Sequence, residues 1–364
     1  MLRNRRLVRA MVLLLSITVL VGCQGATGAG AHAHPAATHS PFVRQSRHER
    51  DGAQKWYSQG LAKFNAGDYA GAIQSFSHAL ALNPRDAAAY EYRALAYLHL
   101  HRLMPGLSDL AMAIHYNPAD ASLYATRGMI YIQLFQYTQA IADFTQAIIL
   151  APSNLSYYLL RSDARSRSGD CNGAINDADA ALEQQHTNVQ SWLMHLEAYH
   201  CMKNYDGMIA DANQVLQLQP TANELLIVYV NRSMAYFDNG QAMQALTDAN
   251  RVVQLLYPAV HSGTADATTA NLLSDAYTCL ARLDRAAGDF ADGRAEATNA
   301  LQLNPRNADA LYVAGLLRRH SGDRAGAIYD LQLAARIYRQ QGDAIAEGGL
   351  AQAQQALRTL GAAV

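Results

Sequence analysis

Apolar residues recur three and four apart through most of the chain, the spacing of one face of an α-helix. These runs are short and end alike. Leu80–Pro84 (LALNP), Ile114–Pro118 (IHYNP), Ile148–Pro152 (IILAP), Leu216–Pro220 (LQLQP) and Leu301–Pro305 (LQLNP) each close a helical pattern with a proline, which cannot continue it. Pro84, Pro118 and Pro152 lie 34 residues apart. No segment has enough alternating Val, Ile and Thr to demand a strand, so the pattern predicts an all-α chain of repeated helical pairs.

Placing that proline at position 32 of a 34-residue frame brings other residues into register. Position 8 holds Gly60, Ala94, Gly128, Ser162, Ser233, Ala281 and Gly315, and position 20 holds Ala72, Gly106, Ala140, Ala174, Ala245, Gly293 and Ala327. Small residues at both places let two helices of a hairpin approach closely. Between them recur Gly67-Asp68, Gly169-Asp170, Gly288-Asp289 and Gly322-Asp323, in which Gly suits a left-handed C-cap and Asp caps the next helix. This register, from about residue 53 to 340, resembles the tetratricopeptide repeat (TPR). The resemblance implies a right-handed TPR superhelix, an α-solenoid of about eight helical hairpins starting near residues 53, 87, 121, 155, 189, 226, 274 and 308.

Two irregularities interrupt the frame: three extra residues before the sixth start and fourteen before the seventh. The larger insert, which falls within residues 259–273 around HSGTADATTA, reads as a loop or a helix extension and separates repeats 1–6 (51–258) from repeats 7–8 (274–340). The remainder, 341–364, places Ala346, Leu350, Ala353, Leu357 and Leu360 on one face, as expected of a helix capping the last repeat. Repeat five departs from the rule with Leu196 at position 8 and Met208 at position 20; larger residues there either separate or retilt its helices or are absorbed by local repacking.

The start of the chain has a different character. Arg3, Arg5, Arg6 and Arg9 precede an apolar run, Ala10 to Val21, about half as long as the ~20 residues a membrane span needs, so residues 1–22 read as a signal peptide. Leu20-Val21-Gly22-Cys23 resembles the lipobox of bacterial lipoproteins, which implies lipidation of Cys23 and cleavage before it. Residues 23–50 then form the lipidated end and a small, polar, flexible tether. The chain's net charge of -1 becomes 25 basic against 30 acidic residues once the leader is removed, which is no nucleic-acid footprint.

Among chemical candidates, Asp109, Asp143, Asp177, Asp211, Asp248 and Asp330 share position 23, while Arg93, Arg127, Arg161 and Arg232 share position 7. Recurrence in register argues for a structural ladder or a solvated helix face. His195, Glu197 and His200 do not have the spacing of a zinc helix, because histidines five apart diverge around a helix. Phosphate-binding, nucleophile-elbow and dinucleotide motifs are absent, so the sequence predicts no enzyme, no metal and no cofactor.

In TPR proteins positions 2, 5, 9, 12 and 13 of each first helix line the inner groove. The resemblance therefore assigns Tyr57, Leu61, Phe64, Leu95, Leu98, Met129 and Ile132 to an apolar groove that anchors a partner's peptide or helix, with Arg282, Arg285 and Arg319 orienting an acidic stretch at the far end. It also brings Cys171, which opens a second helix, near Cys201, which ends a first helix. A disulfide is one reading; the other is that Cys171 fills the packing position held elsewhere by Tyr69, Tyr137 and Tyr205. The function expected is a lipid-anchored adaptor gathering other envelope proteins on the outer membrane, or on the outer face of the plasma membrane where there is one membrane. The alternative is an envelope small-ligand binder or enzyme that uses the groove.

Overall fold

The computed structural model describes residues 47–362 of the 364-residue chain. Cys23, the residues read as a signal peptide and most of those read as a tether lie outside these residues. The described residues form seventeen α-helices and contain no strand. Helices α1 (Arg47–Asn65) and α2 (Tyr69–Leu82) make the first hairpin, followed by α3 (Ala87–His99) with α4 (Leu103–Tyr116) and α5 (Ala121–Gln133) with α6 (Tyr137–Leu150). Next come α7 (Leu155–Ser168) with α8 (Cys171–Gln184), α9 (Val189–Met202) with α10 (Tyr205–Gln217) and α11 (Ala222–Asp238) with α12 (Ala242–His261). The last pairs are α13 (Ala267–Ala287) with α14 (Phe290–Leu303) and α15 (Ala308–His320) with α16 (Arg324–Gln341), before a single helix, α17 (Ala344–Thr359). One compact unit ends at Tyr157 and a second begins at Tyr158, so the border falls inside α7.

The small residues of the frame are the hairpin contacts. A Cβ on Gly60 would lie 2.6 Å from the Phe76 ring and one on Gly128 2.7 Å from the Phe144 ring, so a side chain at either place would push the second helix away. Ala72, Ala140, Ala174, Ala245 and Ala327 on the facing helices are fully buried. In repeat five, Leu196 and Met208 fill the contact instead and are also buried. The close approach there moves to Gly207, whose Cβ would be 2.7 Å from the Tyr199 ring.

Position 15, between the helices of each hairpin, is left-handed in every repeat. Gly67, Gly169, Gly240, Gly288 and Gly322 take it without strain, and His101, Phe135 and Lys203 take it in repeats two, three and five. Asp68, Asp170 and Asp323 cap the following helices by accepting from the backbone N–H of Gly71, Gly173 and Gly326.

Two boundaries differ from the sequence reading, and a third choice is resolved. Residues 47–50, assigned to the tether, are the first turn of α1, with Glu49 favourably placed at its positive end. The sixth repeat begins at Ala222, where Thr221 and Glu224 form a capping box, so the three extra residues become helix. Of the two readings of the larger insert, helix extension is the one found: α12 runs 20 residues and α13 21, joined by a turn over 262–266, and Val252 and Leu256 pack with Leu272, Leu273 and Ala276 in one cluster. At the C-terminus, Ala346 and Ala353 of α17 pack on Ala335 and Tyr338 of α16, and Leu357 packs with Leu316 and Leu331. This buries the apolar face that the last hairpin leaves open.

The recurring charges form rungs rather than a solvated face. Arg93 donates to both oxygens of Asp109 at 2.7 Å, and Arg127–Asp143, Arg161–Asp177 and Arg232–Asp248 repeat this forked geometry. The aspartate side chains are at most 9% exposed, so these are charge-assisted bonds in a largely dry setting, stronger than surface pairs. Two of the rungs also reach back one repeat, from position 7 to position 25. Arg93 donates to Ser77 at 2.9 Å and Arg232 donates to Asn213.

Candidate interaction surface

The first helices carry the residues expected to line the groove, and the structure gives them a different role. Phe64, Leu95, Leu98, Met129 and Ile132 are all less than 9% exposed. Phe64 and Leu95 share a core cluster with Phe76, Leu80 and Ala96, against which Tyr57, Leu61, Tyr69 and Tyr92 pack half-buried. The Tyr57 ring centroid lies 5.8 Å from Phe76 and 6.1 Å from Tyr92, and Phe64 lies 5.7 Å from Tyr92. Adjacent repeats cover this stripe, because a solenoid buries each hairpin's apolar face on its neighbours. An exposed apolar trough through Leu95, Leu98, Met129 and Ile132 is thus corrected to core.

A polar cluster missed from sequence lies on the same helices. Glu91, at position 5 of α3, accepts from the Ser122 hydroxyl at 3.2 Å, and that hydroxyl also lies 2.8 Å from Asp120 Oδ1. Burial, and then the charge of Asp120, pushes the Glu91 carboxyl up to about 7 against the opposing hydrogen bond from Ser122. Burial is also the main cause holding the phenols of Tyr57, Tyr92 and Tyr157 above their ordinary range; Glu91 adds to all three, and Asp120 adds to Tyr157. The phenols therefore remain protonated and able to donate hydrogen bonds, while Glu91 sits near the midpoint of its titration at neutral pH. An acid held half-desolvated among phenols is chemically suited to meet a cation or hydrogen-bond donor on another polypeptide. The visible signal in the sequence was an acid at position 5, where the first and third repeats carry Tyr57 and Ala125.

In the unit from Tyr158 onward the same helix positions are occupied by internal contacts. Arg167 donates to Asp163 at 2.8 Å; burial opposes its charge, but Asp163, Glu197 and Asp343 outweigh that effect. Arg282 pairs with Asp238 and stacks 4.4 Å over Phe237, and Arg319 donates to Thr359 at 3.1 Å. Arg285 is half-buried, with no hydrogen-bond partner for its Nε. Arg282 is thus paired with the chain's own Asp238, whereas Arg319, hydrogen-bonded to a neutral threonine, remains an exposed cation. Cys171 and Cys201 are joined by a disulfide with Cα atoms 5.5 Å apart, and Cys279 is a buried free thiol. None of the described helices is long and apolar enough to cross a membrane.

Comparison with known proteins accords with this architecture. Tetratricopeptide repeat profiles match residues 57–104, 121–154 and 280–344. A stretch of 57 residues is 42% identical to Hsp70-Hsp90 organizing protein 3 of Arabidopsis thaliana and covers 16% of this chain, so the match spans only a tenth of that relative's length. Among solved structures, a tetratricopeptide repeat protein from Parabacteroides merdae is similar with a TM-score of 0.59 at 16% identity, over 73% of this chain and 99% of that one. The C-terminal part of a TPR protein from Cytophaga hutchinsonii gives 0.52 at 20% identity, over 71% and 98%. PilW, described as a widely conserved type IV pilus biogenesis factor, gives 0.51 at 15% identity, over 57% and 94%. These likenesses concern the fold, and together with the small-residue register, the left-handed turns and the matched profiles they make this an all-α chain of tetratricopeptide repeats.

Proposed function

We propose that the chain is a lipid-anchored scaffold of the bacterial cell envelope, tied to a membrane through Cys23 and gathering other envelope proteins by their peptide or helical segments. TPR arrays generally mediate protein–protein interactions and are typically non-catalytic. The leader and the LVGC sequence support the anchor. The observation that carries the binding half of the reading is Glu91, set at an inner-face position with Asp120 and Ser122 and close enough to Tyr57, Tyr92 and Tyr157 to raise their phenols. A partner segment that brings a basic or amide group to this cluster offsets the cost of the desolvated carboxylate.

Two variants test the two halves separately. Cys23→Ser is expected to release the protein from the membrane pellet, and unchanged sedimentation rejects the anchor. Glu91→Gln keeps the shape of the side chain and its hydrogen bond from Ser122 while removing the charge. Cross-linking in intact cells is expected to recover several-fold less of the captured envelope proteins from this variant than from the wild type. Capture of the same proteins in the same yield moves the binding surface elsewhere.

A further inference from the structure

Two departures from the repeat meet at one place near the end of the array. Position 21 is isoleucine or leucine in every other repeat, Ile328 of repeat eight among them, and Arg294 in repeat seven. Position 7 carries an arginine in repeats two, three, four and six, and Ala314 in repeat eight. Arg294 and Ala314 line the same cavity of about 510 Å³, together with Ala297, Thr298, Asn299 and Arg318, and no carboxylate stands in its lining. A cation thus occupies a place the fold elsewhere gives to an aliphatic side chain, beside the space that a missing rung arginine leaves.

Both guanidinium groups keep donors to spare. Arg294 is exposed, makes no ion pair among the described residues, and has no acid three or four residues away along α14. Arg318 is 44% exposed, and its Nε lies 3.3 Å from Asp330 Oδ2, an oxygen that accepts no hydrogen bond. One such contact engages few of the five N–H donors of a guanidinium. Repeat four shows a position 11 arginine serving two carboxylates at once, since Arg165 lies 2.8 Å from Asp177 through Nη1 and 3.4 Å from Asp170 through Nε. In repeat eight the counterpart of Asp170 is Asp323, which caps its own helix at Gly326 and makes no ion pair with Arg318. The Thr298 hydroxyl donates to the carbonyl of Arg294, and the Asn299 amide donates to Glu296 outside the lining, so the two guanidinium groups are the cavity's free donors.

We propose that this cavity receives the carboxylate of a glutamate side chain from a partner polypeptide, held between Arg294 and Arg318 with its methylenes on Ala297 and Ala314. The inference adds partner chemistry to the scaffold reading and rests on it only for the partner being a protein. Positions 21 and 24 of a second helix and 7 and 11 of the next first helix supply the site, and none of them is a groove position. Asp330 answers one of the two positive charges, so the site carries one net positive charge and suits a monoanion. A phosphate group, with nearly two negative charges at neutral pH, would leave an excess beside Asp330. Arginine's planar fork matches the two oxygens of a carboxylate.

The probe is N-acetyl-glutamate methylamide, titrated into the full chain with alanine methyl groups labelled for NMR. Saturable shifts of the Ala297 and Ala314 methyl resonances are expected, with the uncharged glutamine analogue weaker by about tenfold, as for loss of a charge-assisted hydrogen bond. Arg294→Leu restores the aliphatic residue of the other repeats, and it is expected to weaken the glutamate probe by a similar factor while leaving the glutamine analogue unchanged. Arg294→Gln serves as the second variant if the first does not fold. Absence of a saturable shift, equal binding of the two probes, or undiminished glutamate binding by the variant overturns the proposal, and tighter binding of inorganic phosphate overturns the choice of a carboxylate. Because this titration needs no cellular partner, its outcome is independent of whether the scaffold captures envelope proteins.

Discussion

Nδ1 of His195 lies 2.8 Å from Oδ2 of Asp211, and Nε2 of the same ring lies 3.3 Å from Oδ1 of Asp179. In repeat five an imidazole thus makes the two connections that arginine makes in repeats two and six, to its own position 23 and to position 25 of the preceding repeat. Burial opposes charging the ring, but the hydrogen bond and charge of Asp211, and then Asp179, hold its pKa above the ordinary histidine value. Burial also lifts Asp211 against the pull of His195, yet two carboxylates facing one ring make the charged imidazole the state that the fold favours.

A group whose folded pKa is raised contributes stability that is fully present below its unfolded value, about 6.5 for histidine, and is lost as pH rises through the folded value. The chain is therefore expected to lose on the order of 1 kcal/mol, or roughly 2–4 °C in Tm, between pH 6 and pH 9 through this rung. His195→Arg replaces the ring with a cation that does not titrate. Thermal unfolding across that range should show a smaller decline in the variant, and equal declines would mean that the ring carries no charge in the fold.

The sequence makes legible what short-range chemistry decides. A proline ends a helix wherever it falls, Gly-Asp specifies a turn and a cap, and glycine or alanine at positions 8 and 20 marks a close approach, so the hairpins can be read directly. The direction a side chain faces within a stack depends on the neighbouring repeat, and this is where the reading of Leu95, Leu98, Met129 and Ile132 failed: the family's groove positions become core where large residues meet across adjacent hairpins. Glu91 was hidden for the same reason, since its character comes from Ser122 and Asp120, which are remote along the chain. The capping box at Thr221 and Glu224 was present in the letters, but a rigid 34-residue frame placed the start of that helix too late.

Leu61 and Phe64 provide a direct test of core against groove. Phe64 is 8% exposed and Leu61 packs half-buried on its cluster, so changing both to Ser removes apolar contacts and places hydroxyls there. The double variant is expected to lose at least about 3 kcal/mol in urea unfolding, as large-to-small core changes do. A loss below ~1 kcal/mol would return these side chains to the surface.

Lys203 is an exposed side chain held at φ 56 and ψ 31 at the end of α9, where five other repeats use glycine. Left-handed backbone costs an ordinary residue roughly 1–2 kcal/mol, partly offset in glycine by its greater freedom when unfolded. Lys203→Gly is therefore expected to stabilise the chain by about 0.5–1 kcal/mol. Phe135→Gly should gain less, because the Phe135 ring packs edge-on to Tyr137 at 6.4 Å and that contact would be lost. Differential unfolding of the two variants checks the order, and a larger gain at Phe135 would refute this account of the turn.

Cys171 begins α8 and Cys201 lies in the last turn of α9, so their bond ties repeat four to repeat five across 30 residues of chain. Position 17 is a tyrosine in repeats one, three and five, and here the sulfur bridge takes over a place that side-chain packing fills elsewhere. In the chain-entropy account a loop of this size stabilises the fold by roughly 3 kcal/mol, because it restricts the unfolded ensemble. Reduction is expected to lower Tm by several degrees and, among the described residues, to act through this pair alone, since Cys279 is buried and its thiol is pushed up to about 11, mainly by burial, which leaves it little thiolate at neutral pH. Native protein treated with an alkylating reagent and analysed by mass spectrometry without reduction should therefore yield Cys171 and Cys201 as one linked peptide pair. If both thiols are alkylated in the native protein, the bond is absent. The Tm of Cys171→Ser with Cys201→Ser should then match that of the wild type, whereas a genuine bridge requires this double variant to melt where the reduced protein does.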